Sequence, residues 1–442
     1  MEKLTNKWYN KEDYWAIIVG LGLLIIFSIT YITGNIALVK NLSVGFSEWY
    51  GLNIIDAFLG NGSRINNIIS LYAVFAVLFS IAGYFLGYKI KRFFVGFTIL
   101  YILSIIVNIL SVNMFFKSLQ FEAAFIALLI GLILGNSVKL PTYLHSALRT
   151  EFYVKTGVIF MGATLPLNVI LTAGPVAILQ ATIVAVVTFF SIYFAATKLF
   201  KLDPRFSATL GAGGSICGVS AAIAIGSSCR AKQQYVSIAI TLVILWAVVM
   251  IFVLPILGKI LQMGPGAIGA WIGTSEFADA AGFAAAAGVG DESAIKAFTL
   301  MKVIGRDIFV GIWAILAAVL SVTIWEKTSL KDAERISIKE IWHRFPKFVL
   351  GFVLASIIVS LIILNLQDAS SGYNKDVLSI IKNLRGWAFT WTFLSIGLTT
   401  RIRELSDVGW KPLAAFTIGV LINVPLGYIL SNIIFVDFWN AL

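Results

Sequence analysis

The sequence is poor in charge, cysteine and histidine. Only 12% of its 442 residues are Asp, Glu, Lys or Arg, where a soluble domain carries roughly 25%. The two cysteines, Cys217 and Cys229, form no disulfide framework and lack metal-ligand spacing. The two histidines, His145 and His343, fall between apolar runs, so no predicted span carries an imidazole base. Neither a Gly-x-Ser-x-Gly elbow nor a Walker phosphate loop occurs. Ser215 and Cys217 therefore have no partner base in view, and an intramembrane hydrolase or ATP-driven pump is not expected. No soluble domain or low-complexity tract stands out.

What the chain has is apolar length. It is 59% hydrophobic, with a mean hydropathy of +0.92. Thirteen hydrophobic segments are predicted, at about 14–34, 66–88, 93–113, 121–136, 151–173, 175–197, 208–228, 235–258, 266–288, 295–324, 346–365, 387–402 and 412–435. Most approach the roughly 20 residues that cross a bilayer as a helix. The segment at 121–136 is short, and that at 208–228 is broken by glycine. The first run is too long for a cleaved signal and is expected to remain as a span. The fold class is an all-α polytopic membrane protein.

The formal net charge of +11 sits in short loops, which points to membrane orientation rather than nucleic acid. If all thirteen segments cross from a cytoplasmic N-terminus, 22 Lys and Arg lie inside and nine outside. Arg230 and Lys232 fit this scheme poorly. They would turn cytoplasmic if 208–228 dipped in and returned, but the later topology would then invert unless another segment also failed to cross. The longest hydrophilic connection, 326–345, reads as either a short amphipathic cytoplasmic segment or a plain linker.

Three constellations place polar groups at membrane depth. In Gly211-Ala-Gly-Gly-Ser-Ile-Cys-Gly-Val-Ser-Ala-Ala222, four glycines fall within eight residues. Such a run disfavours a lipid-facing helix, because each glycine lowers helix stability by about 1 kcal/mol relative to alanine. It marks either close packing or a broken helix whose restarted N-terminus presents amides to an anion. Gly213, Gly214, Ser215, Cys217, Gly218 and Ser220 are the candidate residues there. Second, Ser275, Glu276 and Asp279 lie in Trp271-Ile-Gly-Thr-Ser-Glu-Phe-Ala-Asp279. The two acids are three apart and share a helix face, as candidates for a coupling proton or sodium ion. Third, Lys302 and Arg306 are four apart, with Asp307 adjoining. Arg suits an oxyanion, although pairing with the two acids is the simpler reading.

An internal repeat links 160–175 to 394–412. Each copy has a glycine within a span (Gly162, Gly397), a second twelve residues on (Gly174, Gly409), and then Pro175 or Pro412 opening the next run. The offset is 235 residues. Seven predicted segments run from 151–173 up to, but not including, 387–402, so if all seven cross the copies point in opposite directions, the inverted arrangement of many secondary transporters.

Gly214-Ser-Ile-Cys-Gly-Val-Ser-Ala221 resembles the Gly-x-Ser-Ile-Cys-Gly-x-Ser/Ala-Ala signature of the bacterial membrane family labelled a sulfate exporter. Gly273–Asp279, Ile396-Gly-Leu-Thr399 and Lys411-Pro-Leu413 are similar to its later motifs, and the likeness covers roughly 120–440. Two positions depart: Ser275 stands where many members have histidine, and Asp279 where many have glutamine. The resemblance implies inverted-repeat transporters of the bile-acid and sodium/proton antiporter type, whose broken helices cross at the site.

The expected organisation is an N-terminal extension of about three helices (1–117) and two transporter halves, 118–260 and 261–442. The expected function is secondary transport of a small anion, such as sulfate, sulfite or a sulfonate, across a bacterial inner membrane. Gly213–Gly218, Ser220, Lys302 and Arg306 would hold the substrate. Ser275, Glu276 and Asp279 would serve a coupling H+ or Na+. No other cofactor, no bound metal beyond that Na+, and no nucleic acid is expected. The partners are the small anionic substrate and the lipid bilayer, with a homodimer as one oligomeric option. The alternatives are a carrier of cations or neutral solutes using the two acids, and a channel or membrane sensor.

Overall fold

The computed structural model describes residues 8–51, 54–59, 63–118, 123–165, 167–307, 346–366, 370–400 and 409–442. The longer helices, in chain order, are α1 (Glu12–Ile32), α2 (Ser63–Phe85), α3 (Ile90–Ser111), α4 (Ala123–Ser137) and α5 (Thr150–Thr164). Then come α6 (Leu167–Leu199), α7 (Pro204–Ser215), α8 (Val219–Ser228), α9 (Gln233–Ile260), α10 (Pro265–Ser275) and α11 (Asp279–Ala287). The last are α12 (Glu292–Thr299, prolonged by the wider-turned Leu300–Arg306), α13 (Phe348–Leu366), α14 (Ser379–Thr399) and α15 (Trp410–Ile434). Seven of these are long and apolar enough to span a bilayer, and the chain is a multi-pass, all-α membrane protein. The 326–345 segment lies outside the described residues, as does 401–408, which carries Arg401 and Arg403.

The chain forms two compact units, each assembled from separate stretches. One comprises Met1–Asn168 with Lys347–Thr400, the other Val169–Pro346 with Arg401–Leu442. These boundaries fall at different points from a division at 117 and 260. The three N-terminal helices share the first unit with α4, α5, α13 and α14, while residues on both sides of 260 belong to the second.

In the first unit the 235-residue repeat becomes a physical symmetry. Helices α5 and α14 pack antiparallel: Arg385 Nη1 donates to Thr164 Oγ1 at 3.1 Å, Phe389 covers Gly157, and Trp391 stands 6.0 Å from Tyr153. A methyl group at Gly162 would strike the Phe352 carbonyl on α13, and one at Gly397 would meet the backbone of α4 at Leu128. The residue ending each helix is then capped from that same neighbour. Ser356 Oγ on α13 donates to Leu165 O at 2.5 Å, and Asn136 Nδ2 on α4 donates to Thr400 O at 3.0 Å. Leu165 and Thr400 are themselves 235 residues apart, and the chain leaves the first unit within a few residues of each.

One expected boundary moves. The predicted segments 151–173 and 175–197 meet at Pro175, yet the helix ends at Thr164 and restarts at Leu167, running through Pro175. A proline leaves one carbonyl unbonded, which membrane helices tolerate where neighbours pack closely. Here α6 lies tight against the 300–306 segment: a methyl at Gly305 would meet the Ala177 carbonyl.

The second unit is built around two helical hairpins. Asp203 caps α7, accepting from Arg205 N at 2.8 Å with Pro204 at the first position, a strong start signal. After the break at Ile216–Gly218, α8 turns back along α7. Cys229 Sγ donates to Arg205 O at 3.8 Å, and Gly226 faces Thr209. The apolar stripe Ala208, Ala212, Ile216, Ala221, Ile225 and Cys229 seals the hairpin. The second hairpin repeats the plan. Gly264-Pro265 opens α10, the chain breaks at Glu276–Ala278, and α11 returns so that Lys259 Nζ reaches Gly288 O at 3.4 Å. The carboxylate of Asp291 then caps α12 by accepting from Ser293 N at 2.8 Å, and this bonding holds its carboxyl below the usual range.

The sequence predicts a crossing at 266–288 and leaves 208–228 open; both fold back as hairpins, and neither is among the seven helices long and apolar enough to span a bilayer. Each returns to its side of entry because its break carries a left-handed or extended turn rather than a helical one. Two returning segments together leave the alternation of the later predicted spans as counted from the sequence. Helix α9, of 28 residues, separates the hairpins, so they enter from opposite ends of the unit. The 12 residues of α7 rise ~18 Å at 1.5 Å each, a little over half of the ~30 Å hydrocarbon core.

Candidate functional site

The two hairpin tips touch. Gly218, at φ +74°, fits against the Phe277 carbonyl with no room for a side chain. The tips also share a sequence pattern 60 residues apart: Gly213-Gly-Ser215 ends α7 and Gly273-Thr-Ser275 ends α10. Beyond that serine they diverge. The second hairpin has Glu276 and Asp279 where the first has Ile216 and Val219, so one tip is acidic and the other neutral.

At the acidic tip Glu276 is fully buried. Its Oε2 accepts from Ala278 N at 2.6 Å, occupying an amide at the restarted N-terminus of α11. Its Oε1 has no hydrogen-bond partner among the described residues. At the neutral tip, Ile216 offers no carboxylate to the first amides of α8. A helix leaves its first four N–H groups without partners along its own chain, and Ser215 Oγ nearby is buried without a hydrogen-bond partner among the described residues.

Two cations from the turn Leu300–Arg306 hold the tips together. That segment has the wide i→i+5 geometry found often at functional sites. Lys302 Nζ donates to Ile216 O and Glu276 O, each at 3.3 Å, and lies 3.3 Å from Asp279 Oδ1. One ammonium thus spans both breaks and an acidic side chain. Arg306 Nη1 donates to Gly273 O, Thr274 O and Glu276 O at 3.0, 3.0 and 3.1 Å. It covers the carbonyl end of α10, where the helix dipole favours positive charge. Its Nε and Nη2 have no hydrogen-bond partner among the described residues. Burying ions costs several kcal/mol each even after relaxation, and these carbonyl and carboxylate contacts offset part of that cost.

A second layer was not singled out from the sequence. Asn423 Nδ2 on α15 donates to Thr188 Oγ1 on α6 at 2.8 Å and to Thr274 O at 3.2 Å. Its Oδ1 is without a hydrogen-bond partner among the described residues. Asn423 and Thr188 are 235 residues apart, so the repeat offset pairs them with each other, as residues near a pseudo-twofold axis do. An asparagine within the apolar run 410–434 was the available signal.

The sequence-predicted residues therefore converge, with differing surroundings. Ser215, Gly218, Glu276, Asp279, Lys302 and Arg306 meet at the tips. Ser275 is buried, with its Oγ 3.5 Å from Thr274 Oγ1. Gly213 and Gly214 are packing positions, facing Val243 and Ile192. Cys217 is buried at the break. Ser220 falls in the first turn of α8, and its side chain is outside the described residues. Lys302 has three donors and three oxygens already around it. Arg306 keeps two nitrogens to offer.

A family model described as Conserved hypothetical protein 698 matches residues 95–416. Among curated relatives, a UPF0324 membrane protein of Rhodopirellula baltica is 34% identical over 87% of this chain and 71% of its own length. One of Nitratidesulfovibrio vulgaris is 32% identical over 83% of this chain, which spans 63% of that relative's length. One of Nitrosomonas europaea is 27% identical over 92% of this chain and 93% of its own. No solved structure matches the chain.

Proposed function

We propose that this chain, which belongs to the family described as Conserved hypothetical protein 698, is a secondary carrier of a small oxyanion rather than an enzyme. The observation that carries the reading is the meeting of two opposed re-entrant hairpins at buried, incompletely partnered polar groups. Interrupted helices of inverted repeats form transporter sites near the midplane. The neutral tip, with restarted-helix amides and Ser215, suits an anion, and Arg306 has N–H groups to offer it. The substrate class is a sulfur oxyanion such as sulfate or sulfite, or an organic sulfonate. Glu276 and Asp279 belong to the coupling machinery. A carrier of cations or neutral solutes is the second reading, favoured by Glu276 Oε1, which has no hydrogen-bond partner among the described residues.

The proposed setting is a bacterial inner membrane with the N-terminus cytoplasmic. The returning hairpins support this orientation. They move Arg230 and Lys232 to the side of Lys198, Lys201 and Arg205, and leave only Lys259 to change the other way.

The test is uptake of radiolabelled sulfate and sulfite into vesicles containing the purified protein. Saturable flux is expected, falling at least tenfold in Arg306→Lys, because a lysine cannot reproduce the guanidinium fork. Flux unchanged in that variant would remove Arg306 from the substrate site, and non-saturating flux would make the protein a channel.

A further inference from the structure

Lys302 is placed where a metal cation would be expected. Its ammonium is enclosed by three oxygens from three segments: the carbonyl at the first break, the carbonyl at the second break, and the Asp279 carboxylate on α11, all at 3.3 Å. Carbonyls released by a broken helix, joined by a carboxylate, form the oxygen set that hard cations select, and unwound carbonyls coordinate sodium in carriers with discontinuous helices. Here the set is already filled by a side chain whose residue is fully buried. Lys302 lies on the helix that follows the second hairpin and reaches both tips, so its ammonium is tethered where a sodium ion would come and go. Arg306 caps the adjoining carbonyls of α10 in the same manner, donating to Gly273 O and Thr274 O.

We propose that the Lys302 ammonium takes the place of a coupling sodium ion at the meeting of the two hairpins, so that this chain works without sodium. A neutral side chain at 302 would then open a sodium site formed by Ile216 O, Glu276 O and Asp279 Oδ1. Its consequence for flux rests on the carrier reading above, whereas its consequence for ion binding does not.

The experiment uses the purified full-length chain in detergent at constant ionic strength, with sodium chloride compared against choline chloride. The unsubstituted protein is expected to show the same unfolding temperature in both salts and no stoichiometric binding of radioactive sodium. Lys302→Met, close in length and without charge, is expected to gain saturable stabilisation by sodium of several degrees, absent in choline. Adding Asp279→Asn is expected to abolish that gain. Stoichiometric, saturable sodium binding by the unsubstituted protein would overturn the proposal, as would a folded Lys302→Met protein indifferent to sodium. If Lys302→Met does not fold, radioactive sodium binding to the unsubstituted chain still decides the matter. Absence of sulfate flux would sink the carrier reading while leaving these binding results standing.

Discussion

Gly218 occupies the closest approach between the hairpins, and two independent constraints meet there. Its φ of +74° lies in the left-handed region, and its missing side chain makes room for the Phe277 carbonyl. Left-handed backbone alone costs a substituted residue roughly 1–2 kcal/mol, and the carbonyl contact is with backbone that cannot rotate away. Gly218→Ala is therefore expected to lower stability by about 2 kcal/mol or more, read as a fall in unfolding temperature, and to part the tips. A variant as stable as the parent would mean that the tips do not touch. Gly213 and Gly214, in the same sequence run, serve packing instead, so one glycine-rich motif divides into two jobs. Sequence alone could not apportion them, because glycine gives no sign of which backbone will approach it.

At the level of elements, the repeat has a clear physical expression in its caps. Helices α5 and α14 both end where the chain passes toward the second unit, and each exposed carbonyl is met by a side chain from the helix packed beside it. The bond is buried at Ser356 and part-buried at Asn136; such a bond contributes about 1 kcal/mol, and leaving a buried carbonyl bare costs about 1–3. Ser356→Ala and Asn136→Ala are each expected to cost about 1–2 kcal/mol, with near-additive effects in the double variant, measured by thermal unfolding. Strong non-additivity would show the two caps to be coupled rather than symmetric equivalents. The glycines at 162 and 397 were legible as a repeat. The capping residues were not, because each comes from the other copy's partner helix and stands far away in sequence.

At the scale of the whole molecule, the paired hairpins predict which loops share a face of the membrane. Single cysteines at positions 198 and 230, in a chain whose Cys217 and Cys229 are replaced by alanine, are expected to react with an impermeant thiol reagent from one face of sealed vesicles. Cysteines at 259 and 288 are expected to react only from the other. Labelling of 198 and 230 from opposite faces would mean that 204–228 crosses after all. The two compact units likewise interleave along the chain, which explains why cuts at 117 and 260 do not delimit them. Contacts, not adjacency, decide a unit, and the chain leaves the first unit and re-enters it.

Composition and hydropathy determined by themselves that this is an all-helical, multi-pass membrane protein, because 59% apolar residues in long runs have no soluble solution. The glycine break, the buried acids and the Lys302–Arg306 pair were also legible, since charge and broken helix are anomalous in hydrocarbon wherever they occur. The poor fit of Arg230 and Lys232 left open whether 208–228 returns. Only the tertiary structure decided that 266–288 returns as well, because a hairpin and a crossing helix share one hydropathy profile and differ only in what their second half packs against. It also decided that Lys302 is enclosed by backbone oxygens while Arg306 retains N–H groups. Those acceptors are carbonyls freed by the turns, and which carbonyls a turn frees is a property of its backbone angles.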